Sequence, residues 1–128
     1  MKIAIIDYGA GNIQSIKFAV QRLGFEAVLS SNAEEIQNAD KVIFPGVGEA
    51  GSAMRMLRST GLDKLIPDLK QPVLGICLGM QLMCKSSEEG NTTGLGIFDA
   101  EVMKFNTDLK VPQIGWNTIT ELQGKLFE

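Results

Sequence analysis

Short apolar runs alternate with amphipathic stretches along this chain, and that alternation predicts its elements. Lys2–Asp7 is Ile-rich and nearly continuous, the pattern of a buried strand. A turn at Gly9–Gly11 follows, and Asn12 is placed to N-cap a helix over Ile13–Leu23. Ile16, Ala19, Val20 and Leu23 form its apolar stripe and Gly24 its stop. Glu26–Leu29 predicts a second strand. Asn32 and Glu35 have capping-box spacing and open a short helix that ends near Asn38. Lys41–Phe44 predicts a third strand, broken by Pro45. Helices are expected from about Ser52 to Arg58 and from Leu62 to Leu69. Val73–Ile76 predicts a fourth strand, and Leu78–Ser86 a helix directly behind it. Beyond Gly90 the pattern changes: Glu101–Phe105 and Trp116–Thr120 read as strands separated by turn-rich segments.

Strand and helix in alternation imply an α/β fold: an open, mostly parallel sheet with helices on both faces. Ligands of such sheets bind at the carboxyl ends of the strands. The chain shows no internal repeat, low-complexity tract or linker, and its 128 residues suit one domain. A net charge of −3 gives no bulk attraction to nucleic acid or to an anionic membrane. No apolar run reaches the roughly 18–20 residues that a membrane span requires. The opening MKIAIID reads as a strand and not as a signal peptide. Cys77 and Cys84 are the only cysteines, which argues against a disulfide scaffold and for a reducing cytoplasm. The chain contains no histidine, so a cysteine hydrolase reading has to account for a missing base.

The strongest chemical feature is Gly75-Ile76-Cys77-Leu78-Gly79, between a predicted strand and a predicted helix. That is the context of a nucleophile elbow. A sharp strand-to-helix turn strains the nucleophile's backbone and leaves no room for side chains two positions either side, so Gly75 and Gly79 fit. It also lifts the Cys77 sulfur to a helix N-terminus, where free N–H groups favour a thiolate. The N–H of Leu78 then points towards an oxyanion. The alternative is a small buried hydrophobe in a Gly-rich turn. Cys84 lies among Leu82 and Met83 without metal-ligand spacing, and reads as core packing.

Other positions are weaker signals. Gln81 follows Cys77 by one helical turn, so its amide can reach a substrate beside the sulfur or simply be solvated. Pro45-Gly46-Val47-Gly48 follows the third strand and should lie beside the elbow. Two glycines around a valine permit a peptide flip, which can offer or withhold a second oxyanion donor; an ordinary turn is the alternative. Glu88 and Glu89 are a solvated acidic pair or a grip for an α-amino group. Asp7 and Tyr8 either face the sheet's carboxyl edge or cap the turn. Gly9-Ala10-Gly11 has Gln14 where a dinucleotide fingerprint needs its third glycine, which argues against nicotinamide or flavin binding.

Together these motifs resemble a known family. GICLGMQL, with Cys77 and Gln81 in place, is similar to the elbow of class I (triad-type) glutamine amidotransferases. IIDYGAGN, FPGVG, SSEEG at Ser86–Gly90, LGIF at Leu95–Phe98 and VPQIGWN at Val111–Asn117 resemble one branch. That branch is the glutaminase subunit of imidazole glycerol phosphate synthase, in histidine biosynthesis. The resemblance runs from Met1 almost to the end of the chain. It implies a flavodoxin-like three-layer fold, with residues 1–128 as the N-terminal part of a single amidotransferase domain that lacks its last strands. It implies Cys77 as nucleophile, Leu78 and Gly46, Val47 and Gly48 as oxyanion donors, and Gln81 and Glu89 as the glutamine grip. It implies no metal and no cofactor. The implied partner is a (β/α)8 barrel cyclase subunit that receives the ammonia, with Asn12 and Trp116 towards that interface; a helix cap and a core aromatic are their alternatives.

The chain departs from the family in its length. Family members continue beyond Glu128, and their catalytic His and Glu lie there, so this chain alone is expected to be nearly inactive and to expose apolar surface. Glu49 and Gln113 stand where related sequences often carry His; neither position is the base. The rival readings are an amidotransferase of another pathway and a catalytically dead binding or regulatory module of the same fold.

Overall fold

The computed structural model describes residues 1–124. Its main sheet holds β1 (Lys2–Ile6), β2 (Glu26–Ser30), β3 (Lys41–Phe44) and β4 (Val73–Gly75), all parallel, in the order β2-β1-β3-β4. Side chains alternate across the strands, so β1 serves two cores. Ile3 and Ile5 face Val20 of α1 (Ile13–Arg22) together with Ala27. Ala4 and Ile6 face the other way, into a core with Ile36, Phe44, Leu57, Ile66 and Leu82. Those residues come from α2 (Ala33–Gln37), β3, α3 (Ala50–Thr60), α4 (Leu62–Asp68) and α5 (Leu78–Met83). Helices therefore cover both faces, as the alternation of elements implies. Among the described residues no helix is long and apolar enough to cross a membrane.

Several boundaries differ from expectation for identifiable reasons. Asn12 occupies the N-cap position of α1, but with ψ 64° its backbone is not the extended one that aims a capping side chain, and it makes no cap hydrogen bond. Leu23 falls outside α1 and is 73% exposed instead of completing the stripe. In α2 only half of the capping box forms. Asn32 Oδ1 accepts from Glu35 N–H at 3.0 Å, while the Glu35 carboxylate turns to Lys2 Nζ at 3.3 Å. The third helix begins earlier than Ser52, because the Glu49 carboxylate accepts from the N–H groups of Gly51 and Ser52, each at 2.8 Å.

The largest correction concerns α5, which stops at Met83 instead of running to Ser86. The carbonyls its next turn would have used are taken from elsewhere. Leu95, Gly96 and Ile97 donate their N–H groups to the carbonyls of Leu82, Cys84 and Met83, at 2.8, 3.1 and 2.9 Å. Cys84–Ser87 consequently becomes β5, antiparallel to β6 (Thr92–Thr93) and parallel to β7 (Phe98–Val102). That last strand lies earlier than the expected Glu101–Phe105. Trp116–Thr120 forms no strand, since no neighbouring strand lies beside it, and residues 103–124 are exposed throughout. Trp116 is fully exposed, so it is not a core aromatic.

Candidate active site

Cys77 joins β4 to α5 with φ 54° and ψ −117°. A non-glycine residue pays roughly 1–3 kcal/mol for such a backbone, which persists only where its surroundings enforce it. They do so here. Ile76 N–H donates to the Phe44 carbonyl, and Gly79 N–H to the Ile76 carbonyl, each at 3.0 Å. The glycines are needed for space: a Cβ on Gly75 would stand 2.7 Å from Met80 Cα, and one on Gly79 would fall on the Phe44 carbonyl oxygen. The sulfur-bearing residue is exposed at the tip of this turn. Leu78, as the first helical residue, has no intrahelical acceptor for its N–H. Cys84 is buried, its Sγ 3.8 Å from the Met80 carbonyl, which suits packing.

The Pro45–Gly48 segment lies against the elbow. A Cβ on Gly46 would meet the Tyr8 hydroxyl at 2.7 Å, and Gly79 N and Leu78 Cβ at 2.9 Å each. Val47 is 54% exposed, and Gly48 sits in open space at φ 96°. Tyr8 resolves one of the open readings. It is buried, its hydroxyl donates to the Pro45 carbonyl at 3.0 Å, and its ring packs at 5.7 Å against Phe44. Burial pushes its phenol up to about 12. Asp7 instead caps the turn, accepting from Gly9 N–H at 3.2 Å.

Gln81 and Glu89 come together although β5 and a turn separate them. Gln81 N–H donates to the Cys77 carbonyl at 3.1 Å, one turn into α5. Its side-chain Nε2 donates to Ser87 Oγ at 2.7 Å and to Glu89 Oε2 at 3.1 Å. The same Glu89 oxygen accepts from Ala50 N–H at 3.1 Å, tying the pair to the start of α3. Glu88 diverges and accepts from Lys104 N–H at 2.8 Å. Gln81, Ser87, Glu88, Glu89, Met103 and Lys104 line a cavity of about 410 Å³, within the range of ligand pockets; Cys77 is not among its walls. Ser87 enters the sequence reading only as part of SSEEG, with no role of its own, because β5, which turns its hydroxyl inward, is not expected there. Beside this network Glu49 has its carboxyl held below the usual range, first by the Ser52 N–H and then by the Gly51 N–H. Asn12 is exposed at the start of α1 and makes no side-chain cap, and Trp116 is fully exposed.

Residues 4–126 match the family model described as glutamine amidotransferase class-I. The imidazole glycerol phosphate synthase subunit HisH of Bacteroides thetaiotaomicron is 57% identical over the whole chain, which covers 67% of that relative. The HisH subunit of Yersinia pseudotuberculosis is 50% identical over 97% of the chain and 64% of the relative. The chain thus spans about two thirds of the length of these relatives, 67% and 64%. A solved structure titled as a glutamine amidotransferase shares the fold, with a TM-score of 0.68 at 22% identity, covering 83% of this chain and 59% of the other.

Proposed function

Because the chain belongs to the class-I glutamine amidotransferase family, where its HisH relatives lie, we propose that it supplies the nucleophile half of a glutaminase site. The observation that carries this reading is Cys77, exposed and strained at the elbow, with the Gly46 loop pressed against the same turn. The Cys77 thiolate attacks the side-chain amide carbon of glutamine. The carbonyl oxygen becomes an oxyanion, received by the N–H of Leu78 and by the backbone of Gly46–Gly48. The C–N bond breaks and ammonia leaves. Water then cleaves the thioester and releases glutamate. Gln81 and Glu89 hold the amino-acid end of the substrate, the carboxylate of Glu89 suiting an α-ammonium group.

Ammonia passes to a (β/α)8 cyclase subunit, with Asn12 and Trp116 towards that partner, for imidazole ring formation in histidine biosynthesis. Residues 1–128 are then the N-terminal part of one amidotransferase domain in the cytoplasm. The chain holds no histidine. On this reading the His base and its Glu lie outside these residues, in the stretch of the relatives that the chain does not span.

Thiol capture tests the reading on the chain itself. Exposure alone favours Cys77 over buried Cys84, so the diagnostic quantity is a ratio. A glutamine-shaped chloroketone, relative to iodoacetamide, is expected to favour Cys77 by at least about tenfold, through binding and orientation. Free glutamine should suppress that excess. Peptide mapping that finds the same Cys77-to-Cys84 ratio for both reagents, indifferent to glutamine, sinks the reading.

A further inference from the structure

Tyr8 ties the DYGAGN stretch to the Pro45–Gly48 segment beside the elbow, and the chemistry above does not use that contact. Its hydroxyl donates to the Pro45 carbonyl at 3.0 Å, and it is one of three atoms that leave Gly46 no room for a Cβ. Gly79 N and Leu78 Cβ crowd that same position at 2.9 Å each, so Tyr8 and the elbow close together on one side of Gly46. We infer that Tyr8 is a positioning residue: it pins the Pro45 carbonyl beside the elbow and confines peptide rotation to Gly46–Gly48. The inference deepens the amidotransferase reading and rests on it for its catalytic meaning.

Contacts bound the Gly46–Gly48 stretch from both sides. Upstream, the Phe44 carbonyl is engaged by Ile76 N–H at 3.0 Å and the Pro45 carbonyl by Tyr8. Downstream, Glu49 accepts from Gly51 and Ser52, while Ala50 N–H is held by Glu89. Between these clamps Val47 is half exposed and Gly48 has no atom within 4 Å of a built Cβ. A peptide that turns there can do so without disturbing the sheet. A plain core aromatic would fill the same volume without a hydroxyl, and a buried hydroxyl needs the acceptor it has found. A phenol holds its proton through the neutral range, so the donor is always available.

The test compares wild type with Tyr8→Phe, which keeps the ring and loses the donor. Loss of one such hydrogen bond should lower the Cys77 rate with the glutamine-shaped chloroketone roughly fivefold, while iodoacetamide stays within about twofold. Only the ketone passes through an oxyanion, so the split separates positioning from general loosening. Tyr8 is the only tyrosine, so 3-fluorotyrosine labels this site alone; it keeps the donor and should retain the wild-type ratio. Amide relaxation dispersion supplies a readout independent of chemistry: exchange confined to Val47 and Gly48 in wild type should spread to Gly46 in Tyr8→Phe. Parallel slowing with both reagents, or an unchanged Gly46 amide, overturns the inference. Should wild type itself show no ketone preference at Cys77, the amidotransferase reading fails, and the Gly46 amide still decides whether Tyr8 pins the segment.

Discussion

Cys77→Ala is expected to lower glutamine hydrolysis by at least about 10⁴-fold, since nucleophile, base and orienting group act as a unit. The assay uses the chain joined to the remaining third of the B. thetaiotaomicron relative, with a cyclase subunit and its nucleotide ligand present. The size follows from the chemistry proposed for the site. Without the sulfur no thioester forms, and what remains is substrate binding and the oxyanion donors acting on water. Cys84→Ala is the control. That thiol is buried beside the Met80 carbonyl, away from the elbow tip, and its loss should change the rate by no more than about threefold. Equal losses in the two variants would detach the elbow from the reaction.

Gly79→Ala should destabilise the fold by about 3 kcal/mol or more, read from denaturant midpoints. Inside α5 the same substitution would ordinarily stabilise by up to about 1 kcal/mol, because alanine is the better helix former. The sign reverses here for one reason. The added Cβ would land on the Phe44 carbonyl oxygen, which already accepts from Ile76 N–H. Backbone of β3 cannot step aside as a side chain can, so either that hydrogen bond breaks or α5 leaves the sheet. Gly75→Ala meets Met80 backbone and the thioether of Met83, so a smaller loss is expected there. A Gly79→Ala chain that melts at or above the wild-type midpoint would mean that the elbow is more open than described.

How far the site was legible follows from the range of the forces that build it. β1 and β3 stand out because each is a short run of apolar side chains, and Lys41–Phe44 is observed where it was expected. The elbow was legible because its glycines are demanded by a local clash, and the positive φ of Cys77 is the strain that the motif implies. Asn32 was legible as a cap because capping is local. The early end of α5 was not, since it depends on Leu95–Ile97 seizing carbonyls from a distance. Ser87 lies just past the expected helix end at Ser86, and its contacts with Gln81 and Glu89 depend on β5 forming. Tyr8 stayed ambiguous because its acceptor, Pro45, is far along the chain. Trp116 read as either a partner-facing or a core aromatic, and its full exposure removes the second alternative.

Glutamine hydrolysis, measured with cyclase and nucleotide ligand present, tests the central claim most directly. The comparison is between the 128-residue chain and the same chain joined to the relative's remaining third. Activity in the joined chain and near silence in the 128-residue chain is the predicted result, with Cys77 carrying the chemistry and the base supplied from outside these residues. A silent joined chain beside an active partner, or equal activity without the added third, would contradict it.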